Sequence, residues 1–229
     1  MNMPLNTPFP TATTIDQARF NMVEQQIRPW DVHDNDVLDL LATMRREDFV
    51  PPAMQGLAFM DLEVPLAGGQ CMLAPKVEAR TLEELQVRPN ESVLEIGTGS
   101  GYMAALLARR SARVLTVEID PDLAETARRN LQRAGIANVE VRTADGSTGV
   151  SLGGPFDVIV LSGSVAQIPQ ALLAQLKVGG RLSAIVGEEP VMRMNYVTRT
   201  GETTYETRQP WDTVAQRLRN FPEPSRFHF

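Results

Sequence analysis

The sequence predicts an α/β protein built on a doubly wound, mostly parallel sheet, with an antiparallel strand pair at the C-terminal end and a helical cap at the N-terminal end. Two observations carry this. After Lys76, short runs rich in β-branched residues alternate with helical stretches of roughly 10–14 residues, the rhythm of parallel strands joined by crossover helices. The first of these runs then breaks into Gly97, Gly99 and Gly101, where an open α/β sheet turns from strand to helix beside a ligand crevice. At 229 residues, 43% apolar and 22% charged, the chain can bury one core together with a helical appendage.

Taken in order, residues 1–14 are rich in Pro, Thr and Asn and read as an extended or disordered arm. Residues 15–75 are expected to form the cap and an active-site segment. Asp16 is positioned to cap a helix carrying Ala18, Met22, Val23 and Ile27, which should end before Pro29. A second helix is expected from Asp34, with Val37, Leu38, Leu40 and Leu41 inward, until Pro51 and Pro52 break the pattern. From Gly56 to Pro75 the chain reads as irregular, with Gly68-Gly69 as a turn.

Residues 76–229 are expected to be the core. A helix through Leu82 and Leu85 leads to strand 92–96. Helix 102–110, strand 112–118, helix 121–134, strand 138–145, strand 156–161, helix 167–176 and strand 181–187 follow. The tail from Arg193 alternates like a hairpin turning near Gly201.

Composition excludes several functions. A net charge of −6 lacks the basic footprint that nucleic acid requires. Cys71 has no partner for an intrachain disulfide, and with only His33 and His228 no zinc cluster is expected. The first residues lack the basic start and apolar stretch of a secretion signal. No apolar run approaches the roughly 20 residues of a membrane span. The expectation is a cytoplasmic protein without membrane or nucleic-acid partners; the sequence does not address its oligomeric state.

The glycines alone are weak evidence, so their surroundings must decide. A dinucleotide fingerprint needs a third glycine where this chain has Tyr102, which argues against a dehydrogenase. Glu95, just before the glycines, would repel a pyrophosphate but attract the ammonium of an amino-acid moiety. Glu118, at the end of the second strand, can accept from two ribose hydroxyls. Asp145, ahead of Gly146, can accept from an adenine amino group. One acid per strand end, in strand order, points to a nucleoside cofactor carrying an amino acid.

At these residues the sequence resembles the Class I S-adenosylmethionine methyltransferases, and more narrowly the protein-L-isoaspartate O-methyltransferase family. The resemblance runs from about Phe20 to the C-terminus. It is carried by MVEQQIR (22–28), MRREDFVPP (44–52), GGQCMLAPKVEARTLEEL (68–85), SVLEIGTGSGYMAALLA (92–108), TVEID (116–120), ADG (144–146) and IPQALLAQLKVGGRL (168–182). It implies a Rossmann-like methyltransferase fold with S-adenosylmethionine held by Glu95, Gly97, Thr98, Gly99, Ser100, Gly101, Glu118, Ile119, Asp145 and Gly146. It also implies methylation of isoaspartyl α-carboxylates in damaged proteins or peptides.

The family's active-site segment usually reads Gln-Thr-Ile-Ser-x-Pro. Here it is Gln70-Cys71-Met72-Leu73-Ala74-Pro75, so Leu73 stands at the serine position. Cys71, Met72, Leu73 and Ser162 are the substrate-pocket candidates, and no residue is assigned as catalytic. Methyl transfer from a sulfonium is an in-line displacement onto an oxygen that is already anionic, since a carboxylate titrates near about 4. No general base is therefore needed. Losing a serine hydrogen bond to a charged group costs about 1.5–3 kcal/mol, roughly 10- to 150-fold. Two alternatives stay open: a same-fold methyltransferase for an unidentified small molecule, and a cofactor-binding protein that has lost turnover. Arg28, Lys76 and Arg80 are candidates to receive an anionic substrate or are plain surface residues, and Trp30 and Trp211 are expected to pack the cap onto the core.

Overall fold

The computed structural model describes residues 12–148 and 153–223. Helix α1 (Ala12–Met22) continues through a π-helical turn, Val23–Ile27, into a 3-10 turn, Arg28–Trp30. The helix therefore starts upstream of Asp16, inside the stretch expected as an arm; residues 1–11 of that arm lie outside the described residues. Asp16 does not cap the helix but pairs with Arg19 at 2.9 Å. Pro29 does not stop the helical path, because it falls in the first turn of the 3-10 segment, where its missing N–H has no partner to lose. Helix α2 (Asn35–Thr43) starts as expected, with the Asp34 side chain accepting from the Asp36 N–H.

The segment expected to be irregular holds a small hairpin. Strands β1 (Val64–Pro65) and β2 (Cys71–Met72) pair antiparallel, with Pro65 opposite Cys71, around Gly68 and Gly69 at φ 65° and 68°. Only glycine takes two successive left-handed positions cheaply.

The core then runs α3 (Pro75–Leu85), β3 (Ser92–Ile96), α4 (Tyr102–Arg110), β4 (Arg113–Glu118), α5 (Pro121–Arg133), β5 (Val139–Thr143), β6 (Phe156–Val165), α6 (Gln170–Leu173), β7 (Leu176–Glu188), β8 (Val191–Arg199) and β9 (Tyr205–Asp212). The helix expected over 167–176 is one turn only. Pro169 sets its start, and Leu176, which looks helical from its i−4 spacing to Leu172, instead pairs with Phe156 as the first residue of β7. The C-terminal hairpin turns at Gly201, where Thr200 N–H donates to Thr204 O.

The seven-stranded sheet has the order β5-β4-β3-β6-β7-β8-β9, with β3 to β7 mutually parallel and β8 and β9 antiparallel. The chain walks outward from β3 to β5, then crosses to β6 on the other side of β3. The reversal makes the gap between β3 and β6 the topological switch point, where open α/β sheets bind ligands. Side-chain alternation splits the interior into two layers. Val93, Val114, Val158 and Val160 face one layer with Leu82, Leu106, Leu107 and the cap residues Met22, Ile27 and Leu41. Leu94, Leu115, Ile159 and Leu161 face the other with Leu172 of α6 and Phe221.

A buried cation fixes the cap to the core. Arg46 is fully buried and donates to Ala58 O at 3.0 Å, to Leu73 O at 2.7 Å and to the Glu78 carboxylate, with Tyr102 beneath its guanidinium at 4.7 Å. Glu83 of α3 accepts from the N–H groups of His33 and Asp34, holding the start of α2 against the core.

Candidate functional site

The loops after β3, β4 and β5 converge on one cleft. Gly97 leaves β3 at φ 93° and Gly99 follows at φ 52°, backbone that L side chains rarely adopt. Their path is pinned from β4: Glu118, only 6% exposed, accepts from the Gly99 N–H at 2.8 Å and, through its other oxygen, from the Asp120 N–H at 3.0 Å. Each oxygen retains a second acceptor direction. Asp145, after β5, accepts from the Ser147 N–H at 2.9 Å and the Asn220 amide at 2.7 Å. Partial burial pushes its carboxyl up, and the bonds from Asn220 and Ser147 outweigh that and hold it below the usual range. Gly146 lies so close to Ile96 that an added Cβ would come within 2.5 Å of its Cγ2.

Of the residues expected from sequence, Gly97, Gly99, Glu118, Ile119, Asp145, Gly146, Cys71 and Ser162 line this cleft. Thr98 and Ser100 line a smaller neighbouring cavity with Glu95, Met72 and Leu73, while Cys71, Gly97, Gly99 and Ser162 are shared by both. Gly101 serves packing: a Cβ there would meet Ala127 and Leu131 of α5 at 3.3 Å, so its absence brings α4 close to α5.

Glu95 is fully buried, accepting from Thr116 Oγ1 at 2.6 Å and from Ser162 Oγ at 2.7 Å. Burial pushes its carboxyl up to about 8 despite those two bonds, with Glu78 and Glu118 adding to the rise. A bulge delivers Ser162: between the Val160–Ser183 and Ser164–Ile185 pairs, β6 holds residues 161–163 opposite Ala184 alone. Its hydroxyl hydrogen is thus committed to Glu95. Ser164, two residues on, is fully buried and donates to Ala215 O at 2.7 Å, an anchor for the C-terminal segment.

Within the active-site segment, Met72 is buried in the small hairpin and Leu73 presents its carbonyl to Arg46. The Cys71 thiol donates to Glu63 at 3.3 Å, and burial, then the Glu63 and Glu78 charges, push it up to about 12. It is a neutral wall of the pocket, without the thiolate a nucleophile needs. Glu78, unremarked in the sequence, lies in the same small cavity, with burial raising its carboxyl to about 7 against the pull of Arg46.

The three cations considered for an anionic substrate are otherwise engaged. Arg28 pairs with Glu24 at 2.7 Å, Lys76 with Asp61 at 2.7 Å over the Trp30 ring, and Arg80 with Asp31 at 3.6 Å over the Trp211 ring. Trp30 and Trp211 thereby join cap and sheet edge to α3.

Sequence reasoning missed the C-terminal segment after β9. Leu218, Arg219 and Phe221 line the cleft beside Glu118 and Asp145. Leu218 N–H donates to Ser164 O at 2.9 Å, laying the segment along the bulged end of β6. No local pattern announces this, because the contacts span the whole chain.

A family model described as protein-L-isoaspartate(D-aspartate) O-methyltransferase matches residues 17–214. A protein-L-isoaspartate O-methyltransferase of Methanoculleus marisnigri is 44% identical over 171 residues, 75% of this chain and 78% of its own. One from Gloeobacter violaceus is 43% identical over 180 residues, 78% of this chain and 88% of its own. Among solved structures, a Plasmodium falciparum β-aspartate methyltransferase in complex with S-adenosyl-L-homocysteine superposes with a TM-score of 0.76 at 20% identity. That match covers 88% of this chain and 98% of the other, and it is a likeness of fold.

Proposed function

Because this chain belongs to the protein-L-isoaspartate(D-aspartate) O-methyltransferase family, we propose that it transfers a methyl group from S-adenosylmethionine to the α-carboxylate of isoaspartyl residues in damaged proteins and peptides. The observation that carries this reading is the family match across nearly the whole chain, joined to a single cleft that gathers an acid from each of β4 and β5 around the glycine turn of β3.

The residues that line the cleft suit that cofactor. The left-handed turns at Gly97 and Gly99, and the Gly146 contact with Ile96, keep side chains out of the floor. Glu118 would hold the ribose hydroxyls, Asp145 the adenine amino group, and Glu95 the amino-acid ammonium by way of the cavity beside Gly97. Thr98, Ser100 and Ile119 shape the walls, and Gly101 sets the helix behind them. S-adenosylmethionine supplies an electrophilic methyl on a sulfonium. The substrate carboxylate needs no base, so the task left to the chain is to orient one oxygen in line and exclude water.

Cys71, Met72, Leu73 and Ser162 are the wall facing the acceptor. With Leu73 in place of a serine and the Ser162 hydroxyl given to Glu95, donors for the incoming carboxylate must come from backbone N–H groups of this wall. No described helix is long and apolar enough to cross a membrane. A cytoplasmic site of action, with a protein or peptide as partner, completes the proposal.

The deciding experiment is transfer of labelled methyl to an isoaspartyl peptide and to its aspartyl twin. The expected result is selective methylation by the wild type. Leu73→Ser should raise kcat/KM by roughly tenfold, the worth of one hydrogen bond to a charged group. If wild-type protein binds S-adenosylmethionine but methylates neither peptide, the proposed substrate is wrong.

A further inference from the structure

The C-terminal segment Gln216–Phe221 does more than border the cleft. Its side chains tie it to several elements around the rim, Arg217 among them through Gly187 O of β7 at 2.9 Å. Gln216 Nε2 donates to Gly69 O at 2.5 Å and Arg219 Nη2 to Gly68 O at 2.8 Å, both on the hairpin turn of the active-site segment. Arg219 also faces Asp120, at the head of α5, at 3.6 Å. Asn220 donates to Asp145 at 2.7 Å from a left-handed backbone position, φ 63°. Beneath these ties, Leu218 presses onto the glycine turn: its Cδ2 would stand 2.8 Å from a Cβ on Gly97 and 2.9 Å from one on Gly163. Phe221, 6% exposed, closes the far end.

The room left is decisive. The cleft encloses about 50 Å³, whereas sites for molecules the size of a nucleoside with an amino acid enclose about 300–1,000 Å³. The segment that fills the difference lies just past residue 214, where the family-model match ends. Its ties also fall on groups the cofactor would use. The Asn220 amide sits on the Asp145 carboxylate as an N–H donor, the same role an adenine amino group would play there.

We propose that Gln216–Phe221 is a gate on the cofactor cleft, in which Asn220 holds Asp145 in competition with the adenine amino group and must release it before S-adenosylmethionine can load. This rests on the cofactor placement given above. Opening breaks the Asn220–Asp145 and Arg219–Gly68 bonds and withdraws Leu218 from Gly97. The hinge is the stretch after β9, where Ser164 bonds Gln216 O and Leu218 N–H through its own backbone groups. Coupling the gate to Gly68 and Gly69 makes cofactor loading and the setting of the active-site segment a single motion.

The test measures S-adenosylmethionine association by surface plasmon resonance on immobilised full-length chain, with affinity by calorimetry. Asn220→Ala should speed association and tighten affinity by roughly tenfold, the loss of one charge-assisted bond from the closed state. Arg219→Ala, also at an exposed position, should move both in the same direction and serves if Asn220→Ala proves poorly folded by thermal melting. An unchanged association rate in both variants overturns the gate, as does a fall in affinity, which would make the segment a fixed wall that the bound cofactor rests on. If neither wild type nor variants bind S-adenosylmethionine, the proposed function fails first, and the gate with it.

Discussion

Glu95 sits where no water reaches it, with one hydroxyl donor on each oxygen and a carboxyl raised to about 8 from an ordinary 4.5. A group whose folded-state value is raised contributes stability that is full below its ordinary value and is lost as pH rises through the folded one. Glu95→Gln should therefore flatten the loss of stability between pH of about 5 and 8 seen in urea melts of the wild type. The same proton links to the cofactor. An ammonium beside Glu95 favours the carboxylate, so binding should expel a proton and affinity should rise with pH up to about 8. Calorimetry in buffers of different ionisation enthalpy reads this directly, and Glu95→Gln should abolish it. Glu118→Ala should weaken S-adenosylmethionine by at least roughly 100-fold, since two hydrogen bonds to a charged group go at about 1.5–3 kcal/mol each. An affinity within a few-fold of wild type would refute its placement. These acids were legible in the sequence because each lies within two residues of a strand end, and strand ends are a matter of local pattern. That Ser162 serves Glu95 was not, because it depends on a bulge that only the pairing of β6 with β7 produces.

At the level of elements, Arg46 decides how the active-site segment lies. Its guanidinium joins the cap's Ala58 carbonyl, the Leu73 carbonyl and Glu78 of α3, three parts of the chain that share no secondary structure. Arg46→Ala leaves Glu78 buried and unpaired, which should cost about 3–5 kcal/mol in urea denaturation. In protein that still folds, KM for an isoaspartyl peptide should rise as the segment loosens, while the affinity for S-adenosylmethionine changes less. Arg46→Lys, which cannot make the same forked contacts, should recover stability only in part. Sequence pattern placed α2, α3, α4, α5 and the parallel strands, because period and capping residues are local. It failed at α6, where Leu172 and Leu176 have helical spacing but the second belongs to β7. It failed again at Pro29, which bends the helical path into a 3-10 turn without ending it.

For the molecule as a whole, the cleft is assembled from the cap hairpin, three strand ends and the C-terminal segment, so a ligand seated there bridges the chain from residue 70 to residue 221. S-adenosylhomocysteine at about 100 times its Kd should add about 2.7 kcal/mol of stability. In a chain of this size that shifts Tm by roughly 5–10 °C, and differential scanning fluorimetry reads it. A transition that splits in two, with one part insensitive to ligand, would show that cap and core unfold separately.

The sequence by itself determined the fold class, the strand carrying each acid, the glycine turn and the identity of the unusual residue in the active-site segment. All of these follow from spacing within some twenty residues, where backbone periodicity and steric rules act directly. Only the tertiary structure decided that Glu95 is buried and raised, that Lys76 and Arg80 are already paired, and that Leu218 and Asn220 lie on Gly97 and Asp145. The surroundings of Glu95, Gly97 and Asp145 depend on residues roughly 20 to 120 positions apart meeting around the switch point of the sheet, and the order of the strands brings them there.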